Sequence, residues 1–253
     1  MIFAAGTGAR LRPYTDYMPK ALAPVGGRPM LLRVADKLVA AGASRIVVNV
    51  HHHAGKLRGF VERLKVPGVE FVVSDESGQL LDTGGGLKKA SGLFRGGGPA
   101  ILYNADVLCD IDLGAMLSAH QASGALVTLA VSRRDSSRYF LWDGSGRLRG
   151  WENRSTRERI LCGGAHVGPL TPRAFSGIHV ISPRLSDKIS ETGVFSILDV
   201  YLRLAGSEPV RCFEHDHRYW ADIGSPEKLH RAEALFREHP EKFSPGREGG
   251  WAG

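Results

Sequence analysis

Apolar residues in this chain fall into short continuous runs, separated by stretches where they recur every three or four positions. Residues 2–5 form a brief apolar run that stops at Gly6. Residues 45–50 (RIVVNV), 69–74, 100–103, 126–132, 174–181 and 210–213 have the same character. Each run predicts a buried strand. Between the runs the spacing becomes helical. Leu31, Val34, Ala35, Leu38 and Val39 mark one stripe, opened by Pro29 and closed by Gly42. Further helices are predicted over 55–64, from the glycines at 84–86 towards residue 93, and over 113–122 and 196–204. A last one follows Ser225-Pro226, where Leu229, Ala232, Leu235 and Phe236 share a face. Alternating strands and helices predict a three-layer α/β/α arrangement, a mixed and mostly parallel sheet with helices on both faces.

The second half is less regular. Residues 138–151 read as a hairpin around Asp143-Gly144-Ser145-Gly146. Residues 152–173 mix charge with glycine and proline and are expected to form a mobile loop. After Glu238 the chain turns to proline, glycine and charge, so residues 239–253 are expected to be a flexible tail. The expectation is one domain over 1–238, with halves at 1–135 and 136–238. No internal repeat is present.

With 253 residues, 43% of them hydrophobic, the chain can bury a sizeable core. No apolar run reaches the ~20 residues that span a bilayer. The opening MIFAAGTGAR lacks a basic start and a long apolar stretch, which argues against a secretory leader and for the cytoplasm. The net charge is +7, but no block of like charge occurs and aromatics are not interleaved with the basic residues. Nucleic acid and membrane partners are therefore not expected. Cys109, Cys162 and Cys212 are odd in number and far apart, so neither a disulfide framework nor a CxxC zinc site is expected.

Residues 6–28 are too long for a simple connection, and loops of that length inside a domain are usually functional. Gly6 and Gly8 follow a buried strand, where bare backbone N–H groups can approach phosphate oxygens. Arg10 and Lys20 add two cations to the same loop. A dinucleotide fingerprint would need glycine where Leu11 stands, and no GxxxxGK[ST] loop is present. The stretch Ala5-Gly6-Thr7-Gly8-Ala9-Arg10-Leu11, followed by Pro13, Thr15, Pro19-Lys20, Leu22 and Pro24-Val25, resembles the signature of sugar-1-phosphate nucleotidyltransferases. It departs from that signature at Ala9, Tyr14 and Ala21, none of which removes a charge.

The resemblance implies a Rossmann-like fold of the nucleotide-diphospho-sugar transferase type, with a nucleotide-binding half at 1–135 and a sugar-phosphate half at 136–238. It implies that Ala5, Gly6, Gly8, Arg10 and Lys20 hold a nucleoside triphosphate. Arg10 would take the departing pyrophosphate, and Lys20 the α-phosphate side. Two later motifs stand in the family's order: Asn104-Ala105-Asp106 after an apolar strand, and Trp220-Ala221-Asp222-Ile223-Gly224-Ser225-Pro226 before a helix. Their aspartates, Asp106 and Asp222, are the implied Mg²⁺ ligands, and Mg²⁺ commonly takes one or two carboxylates plus substrate phosphates. Arg10, Lys20 and Asp106 are thus the candidate catalytic residues. Asp110 and Asp112 read as helix-start residues.

Leu81-Asp82-Thr83-Gly84-Gly85-Gly86 resembles the ETGGG loop of N-acetylmuramate-1-phosphate uridylyltransferases, with Asp82 where those have Glu. It predicts a bare-backbone surface on which Thr83, Gly84 and Gly85 face the nucleotide and Gly86 faces the sugar. His51-His52-His53 leave a strand with alternating directions, so they read as scaffold rather than as a zinc site. Phe175-Ser176-Gly177-Ile178 resembles the strand that borders the acceptor, giving Gly177 and Asp222 as sugar-side candidates. The family's E-K-P lysine, which holds the acceptor phosphate, is absent; Asn153, Arg154 or Arg157 are the candidate substitutes.

The implied reaction is Mg²⁺-dependent transfer of NMP from an NTP to a sugar 1-phosphate with release of pyrophosphate, with UTP and N-acetylmuramate 1-phosphate as the leading pair. Guanylyl transfer to mannose or heptose 1-phosphate, cytidylyl transfer to choline or alditol phosphate, and a non-catalytic nucleotide-sugar sensor stand as alternatives. The oligomeric state stays open between monomer and homodimer.

Overall fold

The computed structural model describes residues 1–164, 168–216 and 219–243. In chain order the first half holds β1 (Ile2–Phe3), α1 (Tyr14–Tyr17), β2 (Pro24–Val25), β3 (Arg28–Pro29), α2 (Met30–Ala40), β4 (Arg45–Val50), α3 (Ala54–Arg63) and β5 (Glu70–Asp75). There follow α4 (Asp82–Ala90), β6 (Ala100–Asn104), β7 (Val107–Cys109), α5 (Leu113–Ser123) and β8 (Val127–Ser132). The second half holds β9 (Arg138–Trp142), β10 (Leu148–Asn153), β11 (Glu158–Leu161), β12 (Thr171–Ile181), α6 (Ile197–Leu204), β13 (Val210–Glu214), β14 (Trp220–Asp222), α7 (Pro226–Glu238) and α8 (Pro240–Phe243).

One mixed sheet runs through the chain in the order β11-β10-β9-β12-β6-β1-β4-β5, with β8 on β12 and β13 on β8. β6, β1, β4 and β5 are parallel, as is β13 against β8. β12 enters antiparallel between β6 and β8, then continues antiparallel to β9. The parallel strands are covered on both faces, which explains why RIVVNV reads as continuous rather than alternating. Val47 points into a core with residues of α4 and α6. Ile46, Val48 and Val50 point into a second core, with Leu31, Val34 and Leu38 of α2 and Leu57 and Val61 of α3. Among the described residues no helix is long and apolar enough to cross a membrane.

Several expectations change. β1 stops at Phe3 because the Ala4 and Ala5 amides donate to the Asn49 side chain (2.6 and 3.2 Å) instead of to a neighbouring strand. Pro29 is the residue before α2, not its first helical position. The expected mobile loop at 152–173 contains a strand, β11, paired with β10, and β12 already starts at Thr171; residues 165–167 of that stretch lie outside the described residues. The expected tail also shortens. Pro240–Phe243 form a helix whose Phe243 is buried with Leu11, Met30, Leu229 and Ala232, while residues 244–253 lie outside the described residues.

Three buried histidines couple this fold to pH. His179 on β12 is buried, with Nδ1 bonded to the Tyr201 hydroxyl at 2.8 Å. Burial, helped by the N-terminal ammonium, lowers its pKa to about 3. Burial also lowers the pKa of His120 and His215. A histidine depressed in the folded state binds its proton preferentially in the unfolded state. Stability is therefore expected to fall as pH drops from about 6.5 towards 3, by up to about 1.4 kcal/mol per pH unit for His179 alone. Urea midpoints at pH 7 and pH 5 measure this, and His179→Gln should flatten the difference. An equal midpoint at both pH values would remove the linkage.

Candidate active site

A cleft of about 570 Å³ opens at the carboxyl ends of β1 and β6, where ligands sit in open α/β sheets. Of the expected residues, Ala5, Gly6, Gly8, Arg10, Lys20, Thr83 and Asp106 line it. Gly8 adopts φ +65°, and a Cβ there would stand 2.7 Å from Thr15 Cγ2 and 3.1 Å from Lys20 Cβ, so both conformation and space demand glycine. Its carbonyl accepts from the Thr15 hydroxyl (2.9 Å) and the Leu11 amide (2.8 Å). Leu11 is fully buried against Ile223 and Leu229, which pins the loop to the base of α7 and leaves neighbouring Arg10 on the cleft wall. Gly6 differs: a Cβ there would meet nothing within 4 Å, so the space beside it is open.

Lys20 Nζ donates to Asp106 Oδ2 in a part-buried ion pair. Asp106 occupies the corner between β6 and β7. A two-stranded pairing brings the second aspartate beside it: Asp222 stands opposite Val107, and the Ile223 amide donates to the Asp106 carbonyl at 3.0 Å. Asp222 does not line the cleft itself. Its carboxylate takes both bonds from Lys228 Nζ (2.7 and 3.0 Å) and one from the Gly224 amide (2.9 Å). The two carboxylates stand on paired backbone segments, each bonded by a lysine ammonium, and carboxylate oxygens are the hard donors that Mg²⁺ takes. Among the described residues no third His, Cys, Asp or Glu joins a cluster, so phosphate oxygens would have to complete the shell.

The glycine triplet departs from its expected place. Gly84, Gly85 and Gly86 lie in the first turns of α4 and are buried, leaving only Asp82 and Thr83 of the motif on the cleft. Gly84 packs on Phe195, Gly85 on the Gly193 carbonyl, and Gly86 on the Glu76 carboxylate and the Asn49 amide. Bare backbone is needed here for helix packing rather than for an open binding loop. Asn153 is also withdrawn: its Oδ1 accepts from the Ser155 and Thr156 amides, and the side chain is spent on the turn into β11. Gly177, at φ +80°, sits at the irregularity of β12. A Cβ there would come within 2.9 Å of Val107 Cγ2 and 3.0 Å of Asn104 Nδ2, so it makes room for the corner carrying Asp106 without lining the cleft. Asp112 caps α5 through the Ala115 amide, as expected.

The histidines tie the scaffold to the loop. His52 and His53 Nε2 both reach the Thr15 carbonyl (3.1 and 3.0 Å), and His51 Nδ1 reaches the Glu76 carbonyl (2.7 Å). A carbonyl only accepts, so both Nε2 atoms donate. Thr15 in turn holds Gly8, giving a relay from the end of β4 to the glycine loop.

Asn49 and Glu76 were not anticipated. Buried Asn49 holds Ala4 and Ala5 through its carbonyl and donates to Glu76 Oε1 at 2.8 Å, and burial raises the Glu76 pKa. A single polar residue inside an apolar strand run was the available signal.

The sequence model of the family described as "Nucleotidyl transferase" matches residues 1–141. The N-acetylmuramate alpha-1-phosphate uridylyltransferase of Caulobacter vibrioides is 31% identical to this chain, covering 94% of it and 96% of that protein. A mannose-1-phosphate guanyltransferase of Schizosaccharomyces pombe is 27% identical over 97% of this chain and 66% of its own length. The solved structure of a UDP-glucose pyrophosphorylase superposes with a TM-score of 0.74 at 17% identity, covering 94% of this chain and 98% of that one. The inositol-1-phosphate CTP transferase of T. maritima superposes with a TM-score of 0.71 at 18% identity, covering 97% and 95%. At those identities the superpositions establish the fold. The family match over more than half the chain, together with the near full-length relative, goes further: this chain belongs to the nucleotidyl transferase family.

Proposed function

We propose that this enzyme transfers UMP from UTP to N-acetylmuramate 1-phosphate and releases pyrophosphate. The observation that carries the reading is the convergence of the Gly6–Arg10 loop with the Lys20–Asp106 pair on one cleft. The uridylyltransferase relative supports the choice of substrates. An acceptor phosphate oxygen attacks the α-phosphorus in line, a P–O bond forms, and the bond from the α-phosphorus to the pyrophosphate oxygen breaks. The acceptor is already ionised at neutral pH, so no general base is needed. The protein's part is positioning and charge neutralisation. The open space beside Gly6 admits a phosphate to bare backbone. Arg10 takes the charge that develops on pyrophosphate, and Lys20 that on the α-phosphate.

Asp106 and Asp222 would hold Mg²⁺, which supplies Lewis-acid polarisation of the α-phosphate when bound. Lys20, bonded to Asp106 on the cleft wall, is within the same cleft as the nucleotide loop and would serve the α-phosphate from there. On this reading the enzyme would work in the cytoplasm, where nucleoside triphosphates are made, and would supply a cell-wall precursor. A guanylyltransferase for mannose 1-phosphate is the second reading, favoured by the S. pombe relative.

The test is pyrophosphate release with Mg²⁺ over UTP, GTP, CTP, dTTP and ATP, crossed with N-acetylmuramate, mannose and glucose 1-phosphates. Turnover is expected with UTP and N-acetylmuramate 1-phosphate. Turnover with another pair alone would replace the substrates and keep the reaction. Silence across all pairs would overturn the reaction itself.

A further inference from the structure

An acceptor phosphate brings negative charge to a site that already holds two carboxylates and a triphosphate. Arg10 and Lys20 both belong to the nucleotide loop, and Asn153 is committed to a turn, so another cation must come from elsewhere around β12–β14. Three arginines there are committed to acids: Arg133 to Asp216, Arg149 to Asp143, and Arg173 to Glu214. Arg154 bonds Glu152 and is largely exposed.

Arg134, just after β8, has no carboxylate partner within ion-pair distance among the described residues; Arg147 and Arg211 lack one too but bond the Glu208 and Ser145 carbonyls, whereas Arg134 lies against β14. Its guanidinium lies 4.0 Å over the Trp220 ring, and Nη2 donates to the Phe175 carbonyl at 2.6 Å. Its Nε is buried with no hydrogen-bond partner. Trp220 and Asp222 are two apart on β14, and side chains two apart share a face of a strand. The cation stacked on Trp220 is therefore on the same face of β14 as Asp222, whose carboxylate takes its own bonds from Lys228 and Gly224. Burial lowers the Arg134 pKa, and Asp222 acts on it in the opposite direction, which agrees with that proximity. A guanidinium fixed by a carbonyl and a ring keeps its full charge for an incoming anion. Its planar fork suits phosphate better than a point charge does. Leaving a cation partly desolvated without a counter-ion is costly, and a bound anion offsets that cost.

We propose that Arg134 is the residue that holds the phosphate of the acceptor, in place of the lysine this chain lacks. This rests on the sugar-1-phosphate reading above.

The test uses the purified full chain and the substrate pair that the wild type turns over. Arg134→Gln is expected to raise KM for the sugar 1-phosphate by about 10- to 100-fold, the range lost with one charged hydrogen-bond donor, while KM for the NTP stays unchanged. Arg134→Lys should recover part of the loss, since it restores charge without the fork. A packing role would instead lower Tm and move both KM values together. An unchanged acceptor KM in folded Arg134→Gln, or a parallel rise in both KM values, would overturn the proposal. If Arg134→Gln does not fold, Arg134→Lys decides on the same readout. A wild type silent with every pair overturns the parent reading, and this one with it. An active wild type with an indifferent Arg134→Gln overturns only the assignment of Arg134.

Discussion

Asp106→Ala is expected to lower pyrophosphate release by at least about 10³-fold, with Lys20→Ala costing about 10²- to 10³-fold, the usual loss of one aimed charge at a reacting centre. Asp106 is the candidate metal ligand that lines the cleft, and it sits where β6 ends, fixed by backbone bonds on both sides. The Ala105 amide donates to the Phe3 carbonyl, and the Ile223 amide donates to the Asp106 carbonyl (both 3.0 Å). The side chain can therefore be removed without moving the corner. The ion pair with Lys20 is part-buried but opens onto the cleft, with 14% and 30% of the two side chains exposed, so removing one partner leaves the other charge with a cost of its own. Thermal unfolding showing that both variants remain folded separates lost chemistry from lost fold. The double variant should lose less than the product of the single losses, because the residues act on the same phosphate. Pyrophosphate release and thermal unfolding on the same preparations decide. Wild-type turnover in either single variant sinks the mechanism.

The second large effect is on the fold, at Gly85. In a helix, glycine to alanine ordinarily stabilises by about 1 kcal/mol. Here the sign should reverse. A Cβ on Gly85 would lie 2.5 Å from the Gly193 carbonyl oxygen and 3.0 Å from Leu81 Cβ. The nearest obstacle is backbone, which cannot swing aside as a flexible side chain would. That backbone is also clamped to α4. The Gly84 and Gly85 amides both donate to the Phe195 carbonyl (2.9 and 3.3 Å), Phe195 donates to the Leu81 carbonyl (3.3 Å), and Ile197 donates to Thr83 Oγ1 (3.1 Å).

Gly85→Ala must break part of that clamp. It is expected to cost about 1–3 kcal/mol net, seen as a Tm lower by roughly 2–10 °C. Thr83 and Val194 line the cleft on either side of the contact, so turnover should fall as well. Gly92→Ala is the control: a Cβ there meets nothing within 4 Å, and its Tm should not fall. A Gly85→Ala protein at or above the wild-type Tm would show that residues 193–195 yield freely.

The sequence by itself determined the elements with a local signal. Buried strands such as Arg45–Val50 were legible because apolar β-branched residues ran together, and α2 because its stripe kept the helical period. The glycine loop, Arg10, Lys20 and Asp106 were legible because the residue types and spacing that meet a phosphate are contiguous. These residues fell on one cleft, because the glycine loop and Asp106 follow the ends of neighbouring parallel strands, β1 and β6, and Arg10 and Lys20 lie on the loop that leaves β1. β7, β11 and β14 were not legible. Strands of three or four residues are too short to show alternation, and they exist only because distant partners pair with them.

Only the tertiary structure decided what the glycines do. Gly84, Gly85 and Gly86 look like an open ligand loop in sequence, yet what touches them comes from Phe195, Gly193, Glu76 and Asn49, which no local pattern links to residue 84. The same holds for Gly177 against Asn104 and Val107, and for Arg134, whose place over the Trp220 ring no local pattern shows. A sequence displays what a residue can do through its own atoms and its near neighbours. Which backbone carbonyl fills the space beside a glycine, or which ring supports a cation, is set by packing across the whole sheet.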